Sequence, residues 1–242
     1  MTIAAHEPLR LHPGDDAYLQ AIERGIVIFD GATGTNLQLA NLSADDFGGP
    51  ALEGCNEVLC ATRPDVVAAL HRSFLDVGVD VVETNSFGGF SVVLADYGLA
   101  DRAFELANRS AVIAREVADE YSTTEHRRYV AGSIGPGTKF PSLGQISFDD
   151  LRDSYEELAY GLLEGGVDLL VVETMYDLLG AKAAISASHR AMRRHGRRVP
   201  RQAQVTIELT GRMLPGTEIN AAITALVPMG IDVLGLNCAT GP

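Results

Sequence analysis

The chain has 242 residues, 46% hydrophobic and 21% charged, the composition of a folded globular domain rather than a disordered one. Its formal net charge of −13, from 19 Lys and Arg against 32 Asp and Glu, argues against nucleic acid as a partner. The first residues show no basic region followed by an apolar run, no apolar stretch reaches roughly 18 residues, and the cysteines are sparse (Cys55, Cys60, Cys238), so a cytoplasmic protein with no signal peptide and no membrane contact is expected.

Residues 1–25 read as an N-terminal extension, and the first strand is expected in IVIFD from Ile26. After Pro64 the apolar positions Val67, Leu70 and Phe74 keep helical spacing until Gly78. Gly78-Val79-Asp80 then leads into the apolar run VVETN. Phe104, Ala107, Ala111 and Ala114 mark the next helix, and YVAGS from Tyr129 the next strand. Ser147-x-x-Asp150 resembles a capping box ahead of Leu151, Tyr155, Leu158 and Leu162. Gly166-Val167-Asp168 repeats the earlier phrase and opens LLVVETM. A helix from Leu179 to His195 ends in Arg193, Arg194, Arg197 and Arg198, read as a solvated terminus whose cations suit the dipole. QVTIEL from Gln204 is the fifth strand, and Gly230-Ile231-Asp232 introduces the sixth, VLGLNCATG. Each repeated glycine follows a helical pattern, where a left-handed residue lets the chain turn into a strand.

Alternation of this kind predicts a parallel sheet with helices packed outside it. Polar clusters follow almost every strand, which favours a closed (βα)8 TIM-type barrel over an open sheet with one switch point. Only six strands are legible, so the barrel over 26–242 is expected to be truncated after the sixth strand. Its first and sixth strands would then be open edges prone to self-association.

The strand ends carry the candidate chemistry. Asp30, before the turn at Gly31, suits a substrate ammonium or, equally, an Asx-turn that shapes the loop. Glu83 and Glu173 close apolar strands, where a carboxylate needs a cationic or donor partner. They could equally form structural ion pairs. Glu83, Glu173 and Asn237 share strand parity, whereas Cys238 joins them only if its strand has already ended. By its chemistry Cys238 reads first as a small buried hydrophobe. Cys55 and Cys60, in GCNEVLC, read as structural or incidental, and GSIGPGTK departs from a phosphate loop at its lysine.

The ordered phrases FDGATGTNLQ, GCNEVL, TRPDVVAALHRSFLDVGVDVVETNSFGG, GSIGPG, EGGVDLLVVETMYDLLGAKAAI and GLNCATGP resemble the homocysteine S-methyltransferase family. Within it they most resemble the N-terminal homocysteine-binding domain of cobalamin-dependent methionine synthases. The resemblance implies a barrel that holds zinc on three thiolates and activates homocysteine as a zinc thiolate for methylation to methionine. Cys238 matches one zinc ligand, and the sequence ends before the family's other two. The isolated chain is therefore expected to be inactive. Asp30 and Glu173 match residues that hold the homocysteine amino group, with Gly31 offering amides to its carboxylate and Asn237 supporting the site. The donor implied is methylcobalamin on a downstream domain, with the folate and cobalamin domains as partners. The alternatives are a stand-alone methyltransferase using S-methylmethionine, S-adenosylmethionine or betaine, a non-catalytic binding fragment, and a lyase or aldolase barrel using Glu83 and Glu173 as acid and base.

Overall fold

The computed structural model describes residues 16–239, and the final positions 240–242 of the last expected run lie outside them. Five strands, β1 (Val81–Glu83), β2 (Tyr129–Ile134), β3 (Leu169–Met175), β4 (Arg201–Val205) and β5 (Val233–Leu236), form one sheet in sequential order. All four pairings are parallel, with Glu83 opposite Ala131, Ser133 opposite Val171 and Val205 opposite Leu236. The principal helices are α1 (Ala17–Arg24), α2 (Thr33–Leu39), α3 (Pro64–Asp76), α4 (Ala103–Tyr121), α5 (Phe148–Glu164), α6 (Leu178–His195) and α7 (Ile219–Leu226). The result is an α/β fold, a partial TIM-type barrel with helices outside a parallel sheet. Among the described residues no helix is long and apolar enough to cross a membrane.

Two strand expectations need correction. The run from Ile26 contributes one parallel bridge, Phe29 to Val81, rather than a full strand, although Asp30 N–H still bonds Val81 O at 3.0 Å. β4 begins at Arg201 and ends at Val205, earlier at both ends than QVTIEL suggests. Its first residues, Arg201 and Gln202, are polar yet 3% and 7% exposed, so a search for apolar runs starts the strand late. Arg201 is accommodated by His189 and the Gly230 carbonyl, while Gln202 accepts the Tyr18 hydroxyl at 2.6 Å. Phe104 falls within the helix it was expected to mark. It lies on the outer side of α4, 39% exposed, stacked on Tyr160.

The repeated Gly-x-Asp phrase has a structural explanation. Gly78, Gly166 and Gly230 all take positive φ, at 98°, 89° and 72°. The aspartates that follow then reach sideways to the preceding strand. Asp80, Asp168 and Asp232 accept the backbone N–H of Ile28, Val130 and Arg201, each at 2.8 Å. Asp168 and Asp232 therefore fasten the N-terminal ends of neighbouring strands, Asp80 ties β1 to the run from Ile26, and charged partners offset their desolvation. Arg115 and Arg127 serve Asp168, and Arg198 serves Asp232, so one arginine of the cluster read as solvated is an internal tie.

Helices and sheet share an outer core, and α5 shows how it is built. Ser147 Oγ accepts Asp150 N–H at 3.0 Å and starts the helix. Leu151, Tyr155, Leu158 and Leu162 then fall on its buried face. Each such side chain removed from water stabilises the fold by about 1.5–3 kcal/mol. Gly165 lets α5 approach α4, because a Cβ there would lie 2.4 Å from the Ala111 methyl and 2.8 Å from Asn108 O. An inner cluster of Val81, Tyr129, Ala131, Leu169 and Val171 fills the concave side. Tyr18 of α1, within the segment expected as an extension, is 2% exposed and belongs to this cluster.

Candidate functional site

A cavity of about 320 Å³ opens at the C-terminal ends of the strands. Glu83, Glu173 and Cys238 line it, together with Asn56, Glu57 and the loop Thr84–Phe87. Strand ends are where a parallel barrel assembles reactive groups from separate loops.

Glu83 and Glu173 reach this place by different routes, whereas Asp30 and Gly31 are not among the residues that line it. β3 departs from regular register between Val172 and Met175, and Thr174 takes a left-handed φ of 56°. Glu173, 7% exposed, is held there by three donors. Ser133 Oγ donates at 2.5 Å, Asn237 Nδ2 at 3.1 Å and Thr174 Oγ1 at 3.5 Å. Asn237 is fixed in turn by Thr174 N–H, which donates to its Oδ1 at 2.8 Å. Burial raises the Glu173 carboxyl above the usual carboxylate range, while the Ser133, Thr174 and Asn237 donors draw it down.

Asp30 does not form the Asx-turn considered from sequence. Both its oxygens accept Glu83 N–H, at 3.0 and 3.1 Å. Burial pushes Asp30 up to about 7, opposed by that N–H and assisted by the negative charge of Glu173. Glu83 is raised well above its usual value by burial, then by Glu173 and Asp30. Among the described residues the Glu83 side chain has no hydrogen bond or ion pair, so the donor or cation expected for it is absent there. Gly31 lies in the turn before α2, and the left-handed residue is its neighbour Ala32, at φ 52°.

β5 ends at Leu236, which removes the parity objection to Cys238. Its φ of 52° turns the thiol toward the same cavity as Glu83 and Glu173, and it is exposed rather than the buried hydrophobe its chemistry first suggested. Sequence reasoning passed over Ser133, Asn56 and Glu57. All three lie in quoted phrases, GSIGPG and GCNEVL, so the signal was present without an assigned role.

The model of the family described as homocysteine S-methyltransferase matches residues 27–242. The chain belongs to the homocysteine S-methyltransferase family. This family member is 51% identical over 231 residues to the methionine synthases of Mycobacterium tuberculosis and Mycobacterium leprae. Those residues are 96% of the chain but 19% of each relative, so the chain spans about a fifth of their length. It superposes on the metallated form of the Escherichia coli homocysteine methyltransferase MmuM with a TM-score of 0.75 and 19% identity. The overlap covers 93% of this chain and 78% of MmuM.

Zinc, implied by the resemblance, does not fit the described residues of this family member. Among them no three His, Cys, Asp or Glu side chains are grouped to hold a metal, and Cys238 is the single thiol on the cavity. Cys60 and Cys55 are buried behind the wall, and burial pushes their thiols up to about 12 and about 11. Protonated thiols are poor metal ligands and poor nucleophiles.

Proposed function

We propose that the cavity binds homocysteine and presents its sulfur for methylation to methionine. The observation that carries this reading is the convergence of Asp30, Glu83 and Glu173 with no compensating cation among the described residues. Like charges brought together in a desolvated site favour an incoming ammonium. In this reading Asp30 and Glu173 hold the homocysteine amino group, and Asn237 braces Glu173. The backbone at Gly31 offers amides to the substrate carboxylate, leaving the sulfur toward Cys238. These residues bind and orient the substrate. No step is assigned to zinc, because one thiol does not make its site.

Two methyl donors are supported by different observations. The likeness in fold to MmuM, described as a homocysteine methyltransferase, favours a small donor such as S-methylmethionine, S-adenosylmethionine or betaine reaching the open strand ends from solution. The 51% identity to methionine synthases of which this chain spans 19% favours methylcobalamin delivered by another domain, with a folate domain as further partner. The test is homocysteine methylation by the protein carrying this chain, offered each donor in turn. Product from a small donor selects the first reading, and product from methylcobalamin with none from the others selects the second. Failure to bind homocysteine in a calorimetric titration refutes both. Methyl transfer by these 242 residues by themselves would count against a three-thiolate requirement.

A further inference from the structure

The segment Cys55–Cys60 has no part in the chemistry considered so far, yet it lies directly against the cavity wall. Its Glu57 carboxylate accepts Gly88 N–H through Oε1 at 2.7 Å. The Cys55 thiol donates to the other oxygen at 3.9 Å. One residue earlier, Asn56 O accepts the Asn85 side-chain amide at 2.7 Å. Cys60 Sγ lies 3.6 Å from both Asn85 O and Asn85 Nδ2. Apart from the Cys55–Glu57 contact, which stays within the segment, these contacts reach the loop that follows β1, whose residues Thr84, Asn85, Ser86 and Phe87 form one wall of the cavity.

The loop is held on its other side as well. Phe87 O accepts Gly135 N–H at 3.0 Å, and Ser86 Oγ donates to Ser133 O at 2.8 Å. Gly88 fits closely beneath the clamp, since a Cβ there would meet Glu57 Oε1 at 3.0 Å and Val93 Cγ1 at 3.2 Å. Glu57 has no cation partner among the described residues, and it lines the cavity itself. A partly buried carboxylate without a cation is costly, so the bond it accepts from Gly88 ties its stability to a fixed loop.

We propose that Glu57 is a positioning residue of the substrate cavity, its carboxylate clamping the loop after β1 through Gly88 so that this loop closes around the bound amino acid. The proposal rests on reading the cavity as the homocysteine site. Without the carboxylate, Gly88 loses its acceptor while Phe87 stays tied to Gly135. The loosening is therefore local, and the price of binding becomes the entropy of ordering the loop again.

The test compares Glu57→Ala, Glu57→Asp and Glu57→Gln in the protein that carries this chain. Two quantities are read, hydrogen exchange at Gly88 and homocysteine affinity by calorimetry. Glu57→Ala is expected to speed exchange at Gly88 and weaken homocysteine binding, each at least tenfold. Glu57→Asp keeps the charge but withdraws it by one methylene, and is expected to behave like the alanine variant. It stands in if the alanine variant fails to fold. Glu57→Gln keeps an acceptor oxygen at full reach and is expected within about threefold of wild type in both readouts. In turnover, KM for homocysteine rises in the Ala and Asp variants while kcat stays within twofold, a split that general destabilisation does not produce. Unchanged Gly88 exchange in the Ala and Asp variants overturns the clamp. A loosened loop with unchanged affinity overturns its role in binding. If the wild type itself ignores homocysteine, the functional reading fails and the substrate role falls with it, while Gly88 exchange still reports the clamp separately.

Discussion

Affinity of the cavity for an α-amino acid is expected to climb between pH 6 and pH 8, and Asp30→Asn is expected to flatten that climb. Asp30 is held at about 7 by burial and by Glu173, against the pull of the Glu83 N–H. A substrate ammonium is attracted to the ionised carboxylate only. With a midpoint near 7, the ionised fraction is about 0.09 at pH 6, about 0.5 at pH 7 and about 0.91 at pH 8. Binding should therefore tighten roughly tenfold over the two units, equivalent to about 1.4 kcal/mol. Glu83 and Glu173 face the same ligand, and both are also raised, so their titration adds to the rise rather than opposing it. Methionine is the better probe, because it carries the same ammonium and carboxylate without a titrating thiol. The assay is isothermal titration calorimetry at the three pH values, with wild type and the Asn variant in parallel. A flat wild-type profile, or an equal slope in both proteins, refutes the placement of Asp30 beside the ammonium.

Two further outcomes follow from the packing. Gly135→Ala would place a Cβ 2.6 Å from Phe87 O and 2.7 Å from its ring, so the loop after β1 must shift. A loss of about 1–3 kcal/mol in urea unfolding is expected together with weaker homocysteine binding, and wild-type values for both would contradict the close approach. His71 is fully buried, neither ring nitrogen has a partner among the described residues, and burial lowers it from 6.5 to about 4. The unfolded chain takes up this proton first, so the stability it supports is complete above about pH 6.5 and falls as pH drops toward about 4. The loss over that window is about 3 kcal/mol, and His71→Leu should remove it. Equal acid sensitivity of wild type and variant, followed by denaturant titration at several pH values, would show that His71 is not the source.

Legibility in the sequence followed side-chain chemistry. The strands β1, β2, β3 and β5 were readable because Val81, Val130, Val171 and their neighbours are apolar on both faces. β4 was misplaced because Arg201 and Gln202 are buried polar residues whose partners sit on other elements, His189 on α6 and Tyr18 on α1. The run at Ile26 has strand composition, yet Ile26 and Ile28 are 94% and 55% exposed, and sheet pairing there stops at one bridge. Within the site, Asp30, Glu173 and Asn237 were nameable from strand ends and family phrases. Ser133 and the bonds that hold Glu173 were not, because the register irregularity before Met175 decides what Ser133 and Asn237 can reach. Glu57 was invisible for a similar reason, since its partner Gly88 offers only a backbone N–H.

The buried Tyr18 has a consequence for how the chain comes to be folded during synthesis. Its hydroxyl partner, Gln202, lies 184 positions later. At ribosomal speeds of about 5–20 residues per second, the first helix waits roughly ten to forty seconds for that partner to be made. Through that interval the aromatic ring has only part of its eventual surroundings, and the concave side of the sheet has no finished floor. Completion of the inner core is thus timed by the appearance of β4, and the earliest helix of the described chain is among the last to settle.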